Sequence, residues 1–107
     1  MTKEAAIQEA VRRLASQFEA ERIVMFGSQA RGTSDVRSDV DLLVVCRFRG
    51  RRRDVMVAMD RALSGLPFAR DIVVVTPEEF TRGRDLPGSV IRPAVAEGRL
   101  LYEHRAA

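Results

Sequence analysis

The chain has 107 residues, 46% of them hydrophobic and 31% charged, which suits one compact domain over residues 1–107 and leaves no room for a second, substrate-binding domain. That balance excludes a disordered chain, no apolar run approaches the roughly 20 residues of a membrane span, and the N-terminus lacks the apolar stretch of a secretory leader, so the cytoplasm is the expected compartment. The formal charge of +3 and a pI of about 10.0 hint at an anionic partner, but of the 18 basic residues only Lys3 is a lysine, and a few surplus guanidiniums raise a pI without forming a patch.

From about Lys3 to Ala20 the residues Ile7, Val11, Leu14, Ala15 and Phe18 recur at helical spacing and predict an amphipathic first helix. Ile23 to Phe26 is a short apolar run stopped by Gly27 and Ser28, the pattern of a buried strand entering a tight turn. The polar stretch from Gln29 to Ser38 predicts a short helical turn followed by loop. A second strand runs from Val40 to Cys46 and is apolar except at Asp41. Cys46, the single cysteine, can form no internal disulfide and is expected in the core. Arg47, Arg49, Arg51, Arg52 and Arg53 then form the one basic cluster, read as a solvated loop or as a contact for phosphate or a partner.

Asp54 to Leu66 carries Val55, Met59, Ala62, Leu63 and Leu66 at helical spacing, with Gly65 and Pro67 ending the helix. Asp71 to Val75 predicts a third strand. Thr76, Pro77 and Glu79 supply an N-cap, a first-turn proline and a capping-box glutamate for the next helix. A last helix is expected around Ser89 to Glu97, starting late or bent because of Pro93, then Gly98 and a closing strand from Leu100 to Tyr102. The fold class is α/β (α+β): a small mixed sheet of three to four strands with helices packed on it.

The chemistry concentrates between Met25 and Val45. Side chains alternate along a strand, so Asp39 and Asp41 share one side while Val40 and Leu42 take the other. Two carboxylates so close resist ionisation together, and a divalent cation relieves the conflict. Mg²⁺ suits such a half-built site, since it takes hard oxygen ligands and retains waters or substrate phosphates. Upstream, Gly27 permits a sharp turn and Ser28 adds a hydroxyl and an N–H where a short helix begins, a cradle for phosphate. Asp71 heads an apolar strand; if that strand lies beside the second, it joins the pair, allows two metals roughly 3.5–4 Å apart, and can take the proton of an acceptor hydroxyl. The plainer alternatives are a capping role for Asp39, a buried basic partner for Asp41, and pairing of Asp71 with Arg70 or another arginine.

The pattern Gly27, Ser28, ten residues, then Asp39-Val40-Asp41, with Ala30, Arg31, Gly32, Ser38 and Leu42 in the extended form, resembles the nucleotidyltransferases of the DNA polymerase β type in their minimal form. The resemblance extends over nearly the whole chain. It implies the polymerase-β-like fold, Asp39, Asp41 and Asp71 as metal ligands and catalytic carboxylates, and Gly27, Ser28 and Ser38 at the nucleotide. Arg31 either contacts phosphate or braces the loop. Mg²⁺, as two ions, with Mn²⁺ as a substitute, and ATP as substrate are implied with it.

Short stand-alone members resemble the antitoxin partner of HEPN-domain ribonuclease toxins, which implies transfer of AMP from ATP to a toxin tyrosine within a hetero-oligomer. A second reading is a binding module that neutralises its partner by occlusion, its nucleotide site vestigial. Nucleic-acid binding through Arg47 to Arg53 has thin support, because only Phe48 is available there for stacking. Transfer to a small molecule would require a homodimer to build the missing pocket. His104, beyond the last expected element, is read as solvated.

Overall fold

In the computed structural model, which describes residues 1–27 and 39–104, four helices and four strands follow as α1 (Lys3–Phe18), β1 (Arg22–Phe26), β2 (Val40–Val45), α2 (Arg52–Ala62), β3 (Arg70–Val75), α3 (Pro77–Gly83), α4 (Ile91–Glu97) and β4 (Arg99–Glu103). The helical turn expected after Gln29 lies outside the described residues. No helix among the described residues is long and apolar enough to cross a membrane.

Helix α1 starts where the Thr2 hydroxyl accepts the Ala5 N–H at 3.0 Å, and it ends at Glu19, whose φ of 53° turns the chain out of the helix. Ala6, Ala10 and Leu14, four apart, form its buried stripe. Helix α2 starts two residues earlier than the apolar spacing implied and stops at Ala62. Leu63 and Leu66 keep helical spacing and are buried, yet the chain there tightens into turns, with the N–H groups of Leu63, Ser64 and Leu66 bonded three residues back. Helix α3 has the expected capping box: the Thr76 hydroxyl accepts the Glu79 N–H at 3.1 Å and the Glu79 carboxylate accepts the Thr76 N–H at 2.9 Å. Helix α4 begins at Ile91, which puts Pro93 in the first turn, where its missing N–H costs nothing.

The strands form one mixed sheet in the order β3-β2-β1-β4. β1 pairs antiparallel with β2 and with β4, whereas β2 and β3 run parallel, joined through α2. Helices α1 and α2 cover one face, where Ile23, Val40, Leu42, Val44 and Val74 pack against Leu14 and Met59. Helices α3 and α4 cover part of the other, where Val24, Leu43, Val45 and Val75 meet Phe80, Ile91 and Ala94. β2 is thus apolar on both faces, which is why its sequence reads as a continuous run instead of an alternation. Gly98, between α4 and β4, is needed for room: a Cβ there would overlap the Ala94 carbonyl oxygen and Val24 Cγ1.

Candidate active site

The site assembles at the end of the sheet where β1 finishes and β2 and β3 begin. Asp41, second residue of β2, lies opposite Phe26 on one side and opposite Asp71 on the other. The parallel register fixes the second pairing, and adjacent strands are about 4.8 Å apart. Asp39 precedes β2 by one residue and is exposed, as is Asp71; Asp41 is half-buried. Along the face that carries Asp41 and Asp71, burial rises away from the carboxylates: Leu43, Val45 and Val75 are buried beneath α3 and α4.

Gly27 ends β1 with φ of 77°, a conformation that favours glycine. A Cβ at this position would collide with Asp41 Oδ2. Glycine therefore serves twice here, turning the chain and giving the Asp41 carboxylate its space. That carboxylate is held above its ordinary range, first by desolvation, then by the negative charges of Asp71 and Asp39. The three acids thus form one electrostatic group.

None of the ion pairs among the described residues engages these three acids. Arg70, the adjacent arginine that a structural role for Asp71 could use, instead bonds the Asp60 carboxylate at 3.0 Å and the Asp60 and Phe68 carbonyls. The basic cluster is also partly committed. Arg47 pairs with Glu78 at 2.9 Å, and Arg52 grips both oxygens of Glu79 at 2.9 and 2.7 Å. Arg52 Nη1 further donates to the Val74 carbonyl at 2.6 Å. Two of the five arginines of that cluster thereby tie α2 and its entry loop to α3, and Arg52 and Arg53 belong to the first turn of α2.

Among the described residues no three acidic, thiol or imidazole side chains close into a ready-made metal cage. The donor set nevertheless fits a hard divalent cation that completes its shell with water and substrate oxygens: it is made of carboxylate oxygens, crowded by like charge, beside a glycine that leaves Asp41 unobstructed. Ser28, Arg31 and Ser38 lie outside the described residues. His104 is exposed, and its N–H bonds the Glu21 carbonyl at 2.9 Å.

One neighbourhood escaped the reading of the sequence. A groove of about 620 Å³ runs between α2 and β3 and reaches Asp71, with Arg53, Met56 and Val57 on its helical side. The available signal was Val57, an apolar residue off the buried stripe of α2 and 45% exposed.

Comparison with known proteins agrees with this architecture. The nucleotidyltransferase domain family matches residues 7–105. A structure from Sulfolobus solfataricus, provisionally described as a nucleotidyltransferase, is 25% identical, with a TM-score of 0.64 over 92% of this chain and 78% of that one. A toxin–antitoxin structure with AMP-PNP (19% identity, TM-score 0.57, 92% of this chain and 74% of that one) shares the fold. So does the toxin–antitoxin MntA-HpeT in a mutant form, at 19% identity and a TM-score of 0.66 over 92% of this chain and 73% of that one. No curated protein matches. With carboxylates on two parallel strands beside a glycine turn and the family pattern extending over residues 7–105, the chain belongs to the nucleotidyltransferase domain family.

Proposed function

We propose that this chain transfers a nucleoside monophosphate, AMP from ATP, to a hydroxyl on a partner protein, and that it is the antitoxin of a pair with a HEPN-domain toxin. The observation that carries the transfer reading is the in-register pairing of Asp41 with Asp71 at the end of the sheet, beside Gly27. The partner reading draws support from the two toxin–antitoxin structures that share the fold, one of them with an ATP analogue. The whole of residues 1–107 acts as one domain in the cytoplasm, and the acceptor surface comes from the partner.

Asp39, Asp41 and Asp71 would hold two Mg²⁺ ions, or Mn²⁺ in their place. Bound there, the ions supply positive charge against the triphosphate and the attacking oxygen. Gly27 and Ser28 hold the triphosphate, with Arg31 and Ser38 at the nucleotide. Asp71 orients the acceptor hydroxyl and receives its proton. The hydroxyl oxygen bonds to the α-phosphorus, the bond from that phosphorus to the bridging oxygen of the β-phosphate breaks, and pyrophosphate leaves with the electron pair. The acceptor retains AMP.

The test is incubation of the purified protein with α-labelled ATP, Mg²⁺ and lysate from its own source, followed by a denaturing gel. A labelled protein band that is lost in the Asp39→Ala/Asp41→Ala variant is the expected result. No band, with that variant still neutralising its partner, would replace transfer with occlusion.

A further inference from the structure

β3 is an outer strand of the sheet, and its far side meets no other strand among the described residues. In a parallel ladder alternate residues turn their N–H and C=O to the neighbouring strand. The bonds from the Val40 N–H to the Ala69 carbonyl and from the Cys46 N–H to the Val75 carbonyl set the phase, so Asp71, Val73 and Val75 face β2 while Arg70, Ile72 and Val74 face outward. The outward carbonyl of Val74 is taken by Arg52 at 2.6 Å. The edge is therefore closed at its far end and open at Arg70 and Ile72, on either side of Asp71.

The groove of about 620 Å³ lies along this open part. Its apolar lining includes Met56, Val57 and Ile72. Its charges are uneven: Asp60 is matched by Arg70, and against the single unpaired carboxylate of Asp71 stand Arg53 and Arg61, both exposed on α2, which pair with no carboxylate among the described residues. An occupant that pairs with β3 would place a side chain about 4.5–5.5 Å from its cross-strand neighbour, within reach of Asp71. Its own carboxylates would meet Arg53 and Arg61.

We propose that this groove is the acceptor-docking site, and that it takes an extended acidic polypeptide segment, which adds to the open edge of β3 and presents its hydroxyl to Asp71. The proposal rests on the reading of Asp71 as the residue that receives the acceptor proton, but binding along the groove can be measured without transfer. A sheet edge gives such a segment main-chain hydrogen bonds, and the flanking arginines select its charge.

The experiment is an NMR titration of the full-length, ¹⁵N-labelled protein with a random glutamate–tyrosine copolymer, with a lysine–tyrosine copolymer and an oligothymidylate in parallel arms. The expected result is saturable shifts of the Arg70, Ile72 and Val57 amides with the acidic copolymer only, and binding weakened at least about tenfold in Arg53→Glu/Arg61→Glu while Mg²⁺–ATP binding is unchanged. No shift at these amides, equal binding of the basic copolymer, tighter binding of the oligonucleotide, or full affinity in the double variant would each overturn the proposal. Absence of transfer by a protein that still binds the acidic copolymer at these amides would instead count against the function proposed above.

Discussion

Asp41 is the residue on which most of the site's chemistry converges, and its environment makes a sharp pH statement. Desolvation and the neighbouring charges of Asp71 and Asp39 raise its proton affinity on folding. The native chain therefore binds more protons than the unfolded one between the ordinary carboxylate range and the raised value, and in the absence of metal this group's contribution to stability falls as pH rises through that window. Removing the charge relieves the repulsion. Like charges directly opposed across a sheet cost roughly 0.5–1 kcal/mol, which for a chain of this size corresponds to about 2–8 °C in the thermal midpoint. In EDTA at pH 7 the Asp41→Asn variant should melt higher than wild type by that amount, and Mg²⁺ should no longer stabilise it. A calorimetric scan in which the variant melts lower would mean that Asp41 is held by a basic partner.

At the scale of elements, Glu79 is the carboxylate most engaged at the junction of α2, β3 and α3. Glu79 caps α3 through Thr76 and binds Arg52 at both oxygens, and the guanidinium, followed by the Thr76 backbone hydrogen bond, lowers its pKa to about 2. Stability from a depressed carboxylate is full above its unfolded pKa and is lost as pH falls through the folded one. Glu79→Ala should therefore cost about 1–2 kcal/mol at pH 7, a sum of cap and half-exposed ion pair, and the gap should shrink from about pH 4.5 down to pH 2. Urea unfolding at pH 7 and pH 2.5 measures both ends; a gap independent of pH would assign the loss to packing.

The same junction shows where the sequence is readable. Thr76, Pro77 and Glu79 specify the start of α3 by local chemistry alone, and every strand was visible to within a residue or two, because short apolar runs bounded by glycine or polar residues need no partner to be recognised. The start of α2 was not visible: Arg51 to Arg53 carry no apolar period, and part of what orders that turn is the contact of Arg52 with Glu79 and Val74, distant in sequence. In the site, the alternation from Asp39 to Asp41 was legible, but the pairing of Asp41 with Asp71 waited on the strand order. A one-residue slip would have carried Asp71 to the opposite face. The open edge of β3 was beyond reach for the same reason, since no local pattern announces which strand ends a sheet.

For the whole molecule, the four helices of the described residues divide between the two faces of the sheet, and the carboxylates sit at the end of the face that α3 and α4 cover only in part. The central strand is consequently enclosed for most of its length, and at its end sits Cys46, 1% exposed, its N–H bonded to the Val75 carbonyl at 3.0 Å. Burial, with a smaller push from Glu21, raises the thiol's pKa, so it meets no reagent as thiolate while the sheet is intact. This lone thiol is a clock for the parting of β2 from β3. A disulfide reagent should modify the native protein at least about 10³-fold more slowly than the urea-unfolded chain, at a rate set by opening instead of by reagent concentration once labelling outruns reclosing. Because the strands that shield Cys46 at one end carry Asp41 and Asp71 at the other, Mg²⁺ with ATP should slow that clock without touching the sulfur. Labelling that ignores both would show the two ends of the sheet opening independently.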